Sequence, residues 1–542
     1  MITFSYKKIR CIAMVLLALP TIIFCMGWLR TYIGLPVSII LAAVLVFSGK
    51  STDERKIEMK KSTLALLLLM ILIWCIMAGQ GGFWKQQDDH FYRNPTFHDL
   101  INYKWPVMYN DESDRMLTYY IGHWLLPALV GKVFAALLGF SAGWLAARIA
   151  MLLWSLAIIF IVVLLINFTI NQRINRYTDN KNGASVILSK KAAVCSLLIM
   201  IFFGGMDLLG MIIAHKPGAT LEDIYNNGHF EWWATYFQYT SISVQFNWVY
   251  NQAVPAWLGI TLFMSDNKRV HDYAFIAACL IITSPLPLLG LAALMVPFAA
   301  RILFNNIKNK SAKSFVKDVF SLQNVSYAVL AVPIMAIYYQ KNSANAATLT
   351  NPGRTGNLIS QNLYVYIVFL AVEFFILSLL IYNKNNRFEI ITILVELTVI
   401  PFFHVGAEYD FCMRGSIPAL FVLMILTQEY VFTNFKRFKE FDLNHAEKIT
   451  KKDMRFITRF IAVVLCLFIG AVTPFAEYEG LAMDTISSGF SVIGNQDILS
   501  SLSNFPVGQT GNFTSIDGHD TFFYRYLSRQ NNENKEKVNK QT

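Results

Sequence analysis

This sequence predicts an all-α polytopic integral membrane protein with about thirteen transmembrane helices. Three observations carry that prediction. The 542 residues are 55% hydrophobic and only 15% charged, where a soluble protein would carry about 25% charged residues. Apolar runs of a length that crosses a bilayer, roughly 17–25 residues, recur from end to end. Lysine and arginine gather in every second connecting segment, the signature of alternating loops in a multi-pass chain. The net charge of +11 therefore reads as cytoplasmic-loop charge, and no nucleic-acid partner is expected. Zinc-finger spacing and a Walker motif are both absent from the sequence. The seven cysteines lie mostly inside apolar runs and read as small buried hydrophobes, not as a disulfide framework.

The predicted spans fall at about 11–29, 32–48, 62–79, 143–169, 191–213, 248–264, 272–287, 289–305, 324–340, 361–382, 388–403, 417–433 and 456–475. The first follows MITFSYKKIR without a convincing cleavage site and reads as a retained helix. The basic connectors are 49–61, 171–191, 266–272, 301–318, 383–387 and 433–455. Positive-inside reasoning puts them and the N-terminus in the cytoplasm. Loops 80–116, 214–247, 341–360 and 404–416 then face outward, with the tail from 476 extracytoplasmic. Residues 1–475 form the membrane domain and 476–542 the tail, whose end QNNENKEKVNKQT is expected to be disordered. Residues 117–138 are apolar enough to cross, but a crossing there would invert every later loop. They are read as surface or re-entrant helices interrupted at Gly122, Pro127 and Gly131. No organelle signal is evident, which is in keeping with a plasma membrane; that the membrane is bacterial is what the family resemblance described below implies.

The outward loops hold the chemistry. Just past the third span comes GGFWKQQDDHFYRNP, with Asp88, Asp89, His90 and Arg93. Adjacent carboxylates let one act as a base while the other orients it or binds a metal. Helix capping and solvated surface charge are the plainer reading. A divalent metal, Mg or Mn, is compatible with Asp88 and Asp89 but not required. Loop 404–416, HVGAEYDFCMRGS, supplies Glu408, Asp410 and Arg414, and loop 341–360 supplies Arg354. An arginine at the mouth of a helix can hold a phosphate at headgroup depth; it can also snorkel or pair with Asp410. Glu231, Trp232 and Trp233 sit among further aromatics and amides. That mixture suits a sugar, which offers both C–H faces and hydroxyls, and it equally suits an interfacial aromatic belt. Transfer of a sugar needs a base for the acceptor hydroxyl and a cation for a leaving phosphate, and these loops provide candidates for both. Acids within the spans include Asp207, Glu373 and Glu396, and of these three Glu373 lies deepest and argues for a transporter.

The arrangement over roughly 62–215 resembles the GT-C superfamily of membrane glycosyltransferases, which includes protein O-mannosyltransferases and aminoarabinose transferases. The resemblance lies in an acidic motif (Asp88, Asp89) in the first large outer loop, a surface helix pair at 117–138, and a span bearing Arg148 near its start. It implies a GT-C-like fold and a polyprenyl-phosphate-linked sugar as donor. It also implies that Asp88 or Asp89 is the base for an acceptor hydroxyl on a glycan, lipid or protein, with inversion at the anomeric carbon. Arg414, Arg354 and Arg93 are then the candidate phosphate ligands, His90 orients the acid pair, and Glu231, Trp232, Trp233, Glu408 and Asp410 line the sugar or acceptor side. A repeat-unit polymerase or ligase and a lipid-linked-sugar flippase are the rival readings; the first would depend on the arginines and not on the acid pair, the second on Glu373.

Overall fold

Helix follows helix along the apolar runs. The computed structural model describes residues 1–48, 53–109, 111–177, 185–214, 229–266, 269–341, 359–403, 410–440, 450–488 and 500–529. Among them, eight helices are long and apolar enough to cross a membrane: Tyr6–Trp28, Phe140–Asn175, Lys190–Ala214, Pro285–Lys308, Ala312–Tyr339, Leu363–Ile381, Asp410–Lys439 and Lys451–Ser487. Three shorter apolar helices accompany them, Thr31–Phe47, Lys61–Met77 and Gly122–Leu138. The protein is thus an all-α membrane protein.

Three predicted spans are not among these helices: 248–264 lies in the helix Ile242–Ser265, which is kinked at Val249, and two others take a different form. The 272–287 run divides into the short helix Tyr273–Leu280 and a break ending at Ser284, because Pro285 and Pro287 start a new helix running to Lys308. Proline favours the first helical turn and cannot continue the one before it. The 388–403 run forms Arg387–Val399 followed by a 3-10 turn at Ile400–Phe402.

Two faces separate along these helices. One collects the segments rich in lysine and arginine. There the strand Ile2–Ser5 pairs antiparallel with Lys56–Met59, which pairs parallel with Ser185–Ile187. Buried Arg10 pairs with Asp272, and Arg173 bonds both Glu389 at 3.2 Å and Glu429 at 2.6 Å. The other face collects the first long loop and the tail. Met116–Leu117 pairs with Thr514–Ser515. Asp99 accepts hydrogen bonds from Tyr109 (2.8 Å) and from the Leu502 amide (2.9 Å). Arg529 donates to the carbonyls of Met26 and Leu29 at the end of the first helix. The tail therefore folds back onto the 93–121 region.

The 117–138 segment is non-helical up to Ile121 and then forms the helix Gly122–Leu138. That helix turns back at Gly139 (φ +88°) and packs along Phe140–Tyr177. The close approach needs small residues. A Cβ on Gly143 would lie 2.5 Å from the Ala135 Cβ and 2.6 Å from the Gly131 carbonyl oxygen, the small-residue packing favoured between membrane helices. Val133, Phe134, Leu137 and Leu138 stay exposed on its outer side, an apolar surface suited to lipid.

Candidate functional site

The acid pair is delivered by a tight glycine turn. Gly79, Gly81 and Gly82 adopt φ of 71°, 74° and 69°, which side chains other than glycine resist. Arg148 fixes this turn by donating to the Gly81 and Gly82 carbonyls, both at 2.6 Å. Gln86 donates to the Gly79 carbonyl and accepts from Asn94. Arg148 thus positions the loop that carries Asp88 and Asp89.

Asp89 stands at the N-cap of the helix His90–Asn102 but makes no side-chain capping bond. It accepts instead from Arg93, one turn on, at 2.6 Å. Asp88 is exposed beside it. Arg93 is only 2% exposed. Burial disfavours its charge, Asp89 and then Tyr119 favour it, and Arg414 opposes it; the balance holds the guanidinium more firmly protonated than in water.

Arg414 repeats the pattern. It is 6% exposed and pairs with Asp410, also one turn away, at 2.5 Å. Tyr119 and Tyr120 lie among the two arginines, and burial raises both phenols, so they remain O–H donors. One nitrogen on each guanidinium, Nη1 of Arg93 and Nε of Arg414, is buried without a hydrogen-bond partner among the described residues. A buried unsatisfied donor on a charged group is costly. Two such donors on neighbouring cations are what an anion would satisfy.

His90 takes another part. It is buried, stacks on Tyr250 (centroids 5.3 Å, 15°) and donates through Nε2 to the Asn247 carbonyl at 3.1 Å. Its ring is thus committed to packing against the 242–265 helix, not hydrogen-bonded to the acid pair. Burial, with Arg93 adding to it, lowers its pKa to about 4. The folded state therefore binds this proton less readily than the unfolded chain, whose histidine titrates near 6.5. The stability it contributes is complete above pH 6.5 and is lost as pH falls toward 4. Scanning fluorimetry in nanodiscs should show the melting temperature falling over that window, and His90→Phe, which keeps the stack but cannot charge, should flatten the fall.

Glu231, Trp232 and Trp233 belong to a second cluster. Glu231 is buried and accepts from the Ser241 amide (2.9 Å) and Gln238 (3.1 Å). Burial, and then Asp207, push its carboxyl well above the usual range. Trp233 donates to Glu373 at 3.1 Å, and Thr473 donates to Asp207 at 2.8 Å. Asp207 Oδ1 and Glu373 Oε2 are buried without a hydrogen-bond partner among the described residues, and Glu373 sits in a π-helical turn, Ala371–Phe375. Of these three residues Trp232 is the exposed one, at 54%, with its ring stacked on His229. Arg354 and Glu408 lie outside the described residues. Among the described residues no group of three or more His, Cys, Asp or Glu is arranged to hold a metal ion; Asp88 and Asp89 are the carboxylates in the first cluster nearest to one another in sequence, and Asp89 is already engaged by Arg93.

The structure therefore brings together Asp89, Arg93, Asp410 and Arg414, with Asp88 at their edge. It adds Tyr119 and Tyr120, which sequence reasoning absorbed into the apolar 117–138 region. The signal that can find the two pairs is their i, i+4 spacing. No protein-family model, curated protein or solved structure matches the chain.

Proposed function

We propose that this protein is a membrane glycosyltransferase of GT-C type with about thirteen transmembrane helices. It moves a sugar from a polyprenyl-phosphate donor to an acceptor hydroxyl on the outer face of a bacterial plasma membrane. The observation that carries the reading is the pair of buried, neighbouring guanidiniums, Arg93 and Arg414, each with one carboxylate and one unsatisfied N–H. They suit the phosphate of a lipid-linked sugar, with the Tyr119 and Tyr120 hydroxyls as further donors. The exposed Asp88 is the base. It takes the acceptor's proton as the acceptor oxygen bonds to the anomeric carbon, and the carbon–oxygen bond to the phosphate breaks on the opposite side. The polyprenyl phosphate leaves with its new charge held by the arginines. Asp89 keeps Arg93 in place.

Binding of polyprenyl phosphate tests the phosphate role directly. Charge-assisted hydrogen bonds are worth about 1.5–3 kcal/mol, so Arg414→Ala should weaken binding by roughly 10- to 100-fold. Arg414→Lys should recover only part, since an ammonium lacks the planar fork. Unchanged affinity in Arg414→Ala would remove the phosphate from this site.

A second reading draws on the Asp207, Glu231 and Glu373 cluster. Carboxyl groups grouped inside a membrane protein suit proton-coupled transport, here of a lipid-linked sugar. That reading requires Glu373→Gln to abolish activity while Asp88→Asn is tolerated.

A further inference from the structure

A cavity of about 880 Å³ lies between the helices Pro285–Lys308 and Arg387–Val399. Its wall is largely hydrocarbon, with Leu289, Ala293, Pro297, Ile391 and Val395 along it. Its end on the face of the lysine- and arginine-rich segments is different, for Arg301, Lys384 and Arg387 line it there. Arg301 rests on the Phe388 ring at 4.5 Å. Lys384 also lines an adjoining cavity of about 520 Å³ with Lys452 and Arg455. The carboxylate in that second cavity, Glu429, is already engaged by Arg173 at 2.6 Å. Glu396 is the acid on the wall of the first cavity. It stands nine residues beyond Arg387, about 13 Å along the helix, too far to neutralise the basic end.

Charge and length select the occupant. From Arg387 to Val399 the groove follows about 18 Å of helix, comparable with one leaflet's share, about 15 Å, of a hydrocarbon core. Basic pockets between membrane helices recognise anionic headgroups. We infer that this groove is a binding site for an anionic phospholipid of the leaflet on the basic face. The headgroup phosphate meets Arg301, Lys384 and Arg387, and an acyl chain lies along Ala293, Ile391 and Val395.

Native mass spectrometry of the full chain in detergent tests this, with phosphatidylglycerol and phosphatidylcholine as probes. The wild type should retain phosphatidylglycerol at least tenfold more tightly. Arg301→Gln/Lys384→Gln/Arg387→Gln should lose that preference, and Arg301→Lys/Arg387→Lys should keep it. Ala293→Phe, which fills the groove and spares the cations, should weaken phosphatidylglycerol about tenfold. Melting curves confirm that each variant compared is folded. Equal retention of the two lipids by the wild type would overturn the inference, as would a preference that survives the triple glutamine variant or is lost in the lysine variant. Indifference to Ala293→Phe would mean surface binding of headgroups only, and displacement by inorganic phosphate would mean a free-anion site; either result also overturns it.

Discussion

Asp88→Asn is expected to lower sugar transfer by roughly 10²- to 10⁴-fold, the usual contribution of a general base, with donor affinity unchanged. Asparagine has the shape of aspartate but cannot accept the acceptor's proton. Asp88 is the carboxylate suited to that step because it is exposed at the mouth of the cluster, whereas the charge of Asp89 is committed to Arg93 at 2.6 Å. Asp89→Asn should therefore act through Arg93. It loosens the guanidinium, weakens donor binding, and costs less in turnover at saturating donor. Comparing turnover with donor affinity for the two single variants separates the roles. Loss of turnover in Asp89→Asn with Asp88→Asn tolerated would reverse them.

The largest effect on stability is expected at Arg173. Its guanidinium joins Glu389 and Glu429, all three buried, and so ties the Phe140–Tyr177 helix to the helices Arg387–Val399 and Ile417–Lys439. Arg173→Met would leave two neighbouring acids inside the protein without their cation. Removing one member of a buried ion pair typically costs about 3–5 kcal/mol, and here one arginine serves two acids. Unfolding followed in nanodiscs should show a loss of that size. Adding Glu389→Gln and Glu429→Gln should return part of it, because the amides carry no charge to be left unpaired. A loss below about 1 kcal/mol, the scale of an exposed pair, would contradict a stabilising role for this junction.

Much of the architecture is legible in the sequence because bilayer thickness and loop charge act on composition alone. The N-terminal residues and the 56–59 and 185–187 segments, all expected on one side of the membrane, meet in one sheet, and the 80–116 loop meets the tail on the other face. Where hydropathy is blind, the count shifts. The 272–287 run is largely apolar, yet Pro285 and Pro287 divide it, and the prolines are the readable signal.

The site divides in the same way. Arg93 and Arg414 are 321 residues apart in sequence, and only the shared sidedness of their loops places them on one face. Their partners Asp89 and Asp410 follow from i, i+4 spacing. Glu231 and Trp233 illustrate what composition cannot supply. An aromatic-rich loop with an acid looks like a sugar platform, but whether the carboxylate turns outward or inward depends on the backbone. Here it turns inward, onto the Ser241 amide that begins the next helix. Tyr119 and Tyr120 were hidden for the opposite reason, since beside an apolar helix they read as part of it.

The most direct test of the account is release of polyprenyl phosphate from radiolabelled polyprenyl-phosphate sugars by the full chain in nanodiscs. The comparison is between wild type, Asp88→Asn/Asp89→Asn and Arg414→Ala, with envelope extract supplying acceptors. The account predicts release by the wild type and its loss in both variants. Release that persists in the double aspartate variant would contradict the assigned chemistry and turn attention to a polymerase or to lipid flipping.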